Sequence, residues 1–173
     1  MSQSKNHLVV KSNKLIEASY RLDLSEQRII LMAITEARDT GNGITSDNFI
    51  EIRAVDFSAL YGLSERTAYD QLRNAGKSLF RRYVVLKSIN EKTGKIEETE
   101  ARWVSAVTYV AGSGLIRLQF SGVIAPYITR LETEFTSYKL KAVSQMTSNY
   151  AVRLYELIIQ WRLLKEREIE NTK

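Results

Sequence analysis

One stretch, Asp56 to Lys95, DFSALYGLSERTAYDQLRNAGKSLFRRYVVLKSINEKTGK, limits the possible folds of this chain more than any other. It reads as helix, tight turn, basic helix and β-hairpin. Asp56 is expected to cap a short helix running to Leu60 or Tyr61 by accepting a first-turn N–H. Gly62 stands where that helix must stop, because glycine enters the left-handed conformation without steric cost. Ser64 then caps a second helix, with Glu65 beside its positive end. Ala68, Leu72, Ala75 and Leu79 recur at helical spacing and form one apolar stripe. The opposite side carries Arg66, Arg73, Lys77 and Arg81, with Tyr69 and Gln71 at its edges, placed either to reach bases or to pack.

Charge is distributed to match. Residues 61–95 hold eight Lys or Arg against three Asp or Glu, whereas the whole 173-residue chain has a net charge of +5. The flanking regions are therefore close to neutral. A helix-turn-helix pattern that gathers the cationic excess is the expected footprint of a nucleic-acid-binding face. Gly76-Lys77-Ser78 imitates the end of a phosphate-binding loop, but the glycine required five residues earlier is Gln71, and the segment lies within a helix. Gly76 in a helix interior costs on the order of 1 kcal/mol against alanine, so a close packing contact is expected there.

The remaining composition excludes other classes. A chain with 44% hydrophobic and 26% charged residues buries a sizeable core unaided. There is no cysteine, hence no disulfide and no thiolate metal site. The N-terminus lacks a signal-peptide core, and no apolar run reaches the ~18 residues that span a bilayer. A cytoplasmic protein without a membrane partner is expected. His7 is the single histidine, no GxSxG elbow is present, and Glu97, Glu98 and Glu100 fall on an exposed hairpin. No catalytic, metal or cofactor site is expected, and the chain does not read as an enzyme.

Along the rest of the chain, Val9 to Ser19 looks helical. A stronger helix opens at Ser25, with Leu24 stapled to Ile29, and its IILMAI run belongs to the core. Asn48 to Arg53 alternates like a strand. Tyr83 to Ile89 is a second strand, Asn90 to Lys95 a hairpin tip, and the return strand runs through Trp103 to Val110. Leu115 to Phe120 completes a three-stranded meander, giving an α+β winged helix with Lys92 and Lys95 at the wing tip. Pro126 suits a short helix through Leu131. A last helix from about Ser148 to Arg167 is expected to bury Ala151, Leu154, Tyr155, Ile158 and Trp161. Leu115 to Phe120 would be an edge strand with unpaired backbone groups, so Leu115, Ile116, Arg117 and Leu118 are the expected dimer interface, the alternative being that a loop or the N-terminal segment covers that edge. Arg153 is expected to pair with Glu156.

Three blocks, KSNKLIEASYRLDLSEQRIILMAI (Lys11 to Ile34), the helix-turn-helix above, and YKLKAVSQMTSNYAVRLYELIIQW (Tyr138 to Trp161), closely resemble the N-terminal winged-helix domain of Rep-3-type plasmid replication initiators. The resemblance implies a protein that binds double-stranded DNA at the repeated sites, the iterons, of a plasmid origin, with host replication proteins as further partners. It implies two winged-helix domains, of which the first docks beside the main reading domain and mediates homodimerisation. Residues 1–147 would be that first domain, and 148–173 its C-terminal helix leading to a second domain not present in this sequence. Arg66, Arg73, Lys77, Arg81, Lys92 and Lys95 are assigned phosphate contacts by charge and face, with Tyr69 beside them. Two further readings stay open: a self-association module that touches no DNA, and a winged-helix transcriptional regulator.

Overall fold

Leu8–Ser12 is a strand (β1), and only Asn13–Glu17 (α1) is helical before the two-residue strand Ser19–Tyr20 (β2), in the computed structural model, which describes residues 7–129 and 134–171. The helix expected from Val9 is thus half strand. Val9 and Val10 are β-branched and favour extended backbone. Their partner is a distant segment, because β1 pairs antiparallel with residues 135–139, with Leu8 opposite Lys139 and Ser12 opposite Phe135.

Leu24–Asp39 (α2) starts one residue before the expected cap. Asp23, not Ser25, is the N-cap, and the Glu26 carboxylate accepts its N–H at 2.7 Å. Ile29, Ile30, Leu31, Ala33 and Ile34 are all buried, so this helix is central as expected. The chain continues through Ile50–Arg53 (β3), Ala54–Tyr61 (α3), Glu65–Leu79 (α4), Tyr83–Ile89 (β4), Ile96–Arg102 (β5), Val104–Val110 (β6) and Leu115–Phe120 (β7). A 3-10 turn at Ala125–Tyr127 holds Pro126, and residues 130–133, where the short helix was expected to end, lie outside the described residues. Phe135–Lys139 (β8), Lys141–Ser144 (α5) and Asn149–Asn171 (α6) complete the order.

The expected meander is divided between two sheets, ordered β2–β4–β5 and β3–β7–β6. The division falls at Trp103, whose side chain is fully buried with its ring edge-on to Tyr20 at 4.9 Å. Burying that indole, with a register irregularity between Val104 and Ala106, carries the strand out of one sheet and into the other. β7 consequently lies between β3 and β6, and it is not an edge.

α6 is turned about its axis relative to expectation. Val152, Glu156 and Gln160 face the core, while Leu154, Ile158 and Trp161 are 58%, 57% and 74% exposed. Polar anchors set that rotation. Lys11 Nζ lies 2.5 Å from Glu156 Oε1, the Tyr138 hydroxyl donates to the same oxygen at 2.6 Å, and Gln160 donates to Glu17. Arg153 sits 4.0 Å over the Tyr20 ring and donates to the Ala18 carbonyl at 3.1 Å. Its distance to Glu156 is 3.8 Å, the expected pairing. Among the described residues no helix is long and apolar enough to cross a membrane.

Candidate nucleic-acid interface

α3 begins at Ala54, so Asp56 lies within its first turn and acts on the helix dipole instead of serving as the cap. Gly62 ends it at φ +66°, and Ser64 Oγ accepts the Thr67 N–H at 3.2 Å to start α4. Both turn residues act as the sequence requires. Ala68, Leu72, Ala75 and Leu79 are buried, pressing α4 onto α2, α3, β6 and β7. Gly76 is the point of closest approach: a Cβ there would meet Val107 Cγ1 at 3.2 Å and Tyr109 Oη at 3.3 Å. The packing contact expected from a mid-helix glycine is present.

Away from that contact, Arg66, Arg73 and Lys77 are exposed. Spacings of seven and four residues keep all three on one line of the helix. Among the described residues none of the three makes a side-chain hydrogen bond or ion pair. Asp70, also exposed, falls on the same line and lowers the charge of the face by one. Burial raises the pKa of the Tyr109 hydroxyl, and the nearby Arg73 charge partly opposes this. Tyr69 and Gln71 are half-buried, and Tyr69 packs against the core.

The other cations of this segment are distributed differently. Arg81 lies beyond the end of α4, in a depression with Ser19, Tyr20 and Arg21, and so does not share the helical line. Arg82 is structural. Its Nε donates to both Glu26 oxygens at 3.0 Å and its Nη2 to Asp23 at 3.1 Å, clamping the start of α2 to the α4–β4 turn. These carboxylates, Glu26 above all, raise the Arg82 pKa further. Lys92 and Lys95 are exposed on a tip whose turn is built by Asn90 accepting the Lys92 and Thr93 N–H groups at 3.0 Å. That hairpin belongs to the β2–β4–β5 sheet. The wing packed against α4 is instead β6–β7, whose tip, Ala111 to Gly114, carries no charge. Glu98 pairs with Lys87 at 3.1 Å and Glu97 accepts from Asn90 at 2.6 Å, so the hairpin shaft is acidic beneath its basic tip.

The dimer surface expected at Leu115, Ile116, Arg117 and Leu118 is corrected by the topology. β7 is hydrogen-bonded on both sides, Ile116 and Leu118 are fully buried, and Arg117 pairs with Glu51 at 2.9 Å. A second copy finds no open edge there. Among the described residues no three His, Asp or Glu side chains gather into a metal site.

Comparison with known proteins agrees with this architecture. A family model described as Initiator Replication protein, WH1, matches residues 8–159. The PI protein of Escherichia coli is 27% identical over 173 residues, covering 91% of this chain and 56% of that protein. An uncharacterised 27.6 kDa protein of Escherichia coli is 22% identical over 162 residues, covering 89% of this chain and 66% of its own length. The crystal structure of the Pi initiator protein in complex with iteron DNA superposes with a TM-score of 0.73 at 25% identity, over 91% of this chain and 65% of that one. The WH1 domain of MSBI1.176, a replication protein isolated from a multiple sclerosis patient, gives 0.58 at 36% identity, over 70% of this chain and 91% of that domain. The chain thus spans less than two thirds of the full-length proteins it resembles.

Proposed function

The chain belongs to the initiator replication protein family through its WH1 domain, and from that premise we propose that it binds the duplex repeats of a plasmid replication origin with the outward face of α4. The carrying observation is the line of Arg66, Arg73 and Lys77, exposed and, among the described residues, without a side-chain hydrogen bond or ion pair, on a helix whose other side is locked into the core. Such charges on a rigid element neutralise phosphates, and so fix position along DNA while reading little sequence. Lys92 and Lys95 at the hairpin tip add phosphate contacts outside the helix, and Tyr69 braces the helix edge. A relative crystallised on iteron DNA supports a partner of this chemistry. The activity is binding, with no chemical step. In this reading residues 1–147 are the binding and dimerisation unit, and the helix within 148–173 leads toward the additional length of the relatives.

The test is fluorescence anisotropy on origin repeats and on random duplex at several salt concentrations. Arg73→Glu with Lys77→Glu is expected to weaken both alike and to lower the log–log salt slope by about two. Unchanged affinity would leave α4 with an ordinary solvated face and favour a module for self-association alone.

Homodimerisation is the second part of the reading, and the outer strand β6 supports it. VSAVTYV carries no charge and, among the described residues, is paired on one side only, whereas β5, an outer strand of the neighbouring sheet, is guarded by Glu97, Glu98 and Glu100. Ser105→Lys with Thr108→Lys, both at exposed positions, should give a folded monomer in sedimentation velocity; a folded dimer would rule out the β6 edge.

A further inference from the structure

Two exposed residues of α4 have no use in the fold. Asp70 and Asn74 stand about one helical turn apart, and neither makes a side-chain hydrogen bond or ion pair among the described residues. Asp70 has Arg66 four residues before it and Arg73 three after, the spacings at which ion pairs close on a helix, yet it pairs with neither. Support for the helix dipole falls to Glu65 in the first turn, which Asp70 is past. Asp and Asn are also poor helix formers, unlike the Arg, Leu, Ala and Lys residues around them.

Their direction is set by the packing of the helix. At ~100° per residue, Asp70 points almost straight away from the buried stripe of Ala68, Leu72, Ala75 and Leu79. Arg66, Arg73 and Lys77 lie to one side of it and Asn74 to the other. A duplex held by the three cations therefore meets Asp70 near the middle of the contact. A carboxylate there gains nothing from phosphates, which repel it. The major groove does offer it a donor, the N4 amino group of cytosine. In the same groove an Asn amide matches adenine, donating to N7 and accepting from the N6 amino group. Both side chains are short, so they touch base edges only when the helix lies in the groove. The longer Arg and Lys chains beside them reach the phosphates at its rim.

We propose that Asp70 and Asn74 are the residues through which α4 reads sequence, Asp70 at a cytosine and Asn74 at an adenine. The inference rests on the duplex reading above and deepens it: the three cations position the helix, and these two residues specify where it settles. Their separation of ~6 Å along the helix places the two bases about two steps apart.

The test is selection from a randomised duplex library by the whole chain, with the bound pool sequenced and single duplexes measured by fluorescence anisotropy. The unmutated chain should enrich a C·G pair and an A·T pair, each preferred about tenfold over its replacements. Asp70→Ala should lose the cytosine preference, keep that for adenine, and bind unselected duplex more tightly because a repelling charge is gone. Asn74→Ala should lose the adenine preference alone. Asp70→Asn should exchange cytosine for adenine at its position, a gain that no folding defect produces. Equal tightening on every duplex by Asp70→Ala, with base preference intact, would make Asp70 a plain surface charge and overturn the proposal. A pool from the unmutated chain with no preferred base overturns it as well. Arg73→Glu with Lys77→Glu separates the two levels of the reading. If that pair weakens selected and random duplex alike while neither alanine variant changes a preference, the specificity assignment falls by itself. If the pair changes nothing, the duplex reading falls and takes the assignment with it.

Discussion

In α4 the inward side chains are Ala68, Leu72, Ala75 and Leu79, and the outward line is Arg66, Arg73 and Lys77; in α6 the inward face holds Glu156 and Gln160 beside Val152, while Leu154, Ile158 and Trp161 meet water. Both helices are amphipathic, yet only the first is turned as apolar burial alone would dictate. The difference lies in what each packs against. α4 meets the apolar sides of α2, α3, β6 and β7, and Gly76 allows that approach to within van der Waals contact. α6 meets β8 and α1, and lies over β1, whose Lys11 brings a buried ammonium that demands a carboxylate. An unpaired charge in that position costs more than the exposure of a few apolar side chains.

Removing Glu156 should produce the largest effect. Glu156→Ala leaves the Lys11 ammonium buried without its partner and should cost about 3–5 kcal/mol in urea unfolding. Lys11→Met combined with Glu156→Leu should recover most of that loss, since a buried pair replaced by apolar groups is often neutral. If the single and double variants are equally destabilised, the ion pair does not set the rotation of α6.

The smallest effect belongs to the outward faces. Leu154→Lys with Ile158→Lys on α6, and Arg73→Glu with Lys77→Glu on α4, should each leave the melting midpoint nearly unchanged, within about 0.5 kcal/mol per substitution. A large loss from the α6 pair would mean that its exposed stripe is covered in solution, and the contrast between the helices would then concern partners more than burial.

The helix-turn-helix was readable because its signals are local. Gly62, Ser64 and the stripe from Ala68 to Leu79 act within a few residues of one another, and the structure has them doing what their chemistry requires. Strand partners were not readable. β1 looked helical because its partner β8 lies near the other end of the chain, and the meander looked continuous because nothing local marks Trp103 as the residue that divides it. For the same reason the hairpin with the basic tip was read as continuous with the strands packed against α4, and an inner strand was taken for an edge.

Arg81 and Arg82 mark that boundary within two adjacent residues. That both carry charge beside a basic helix is legible along the chain, because charge and short-range periodicity are local properties. It is the folded chain that commits Arg82 to Glu26 and Asp23, while Arg81, without a side-chain hydrogen bond or ion pair among the described residues, stands exposed in a depression with Arg21. A guanidinium is available or occupied according to which distant carboxylate the fold brings to it, and no local pattern contains that distance.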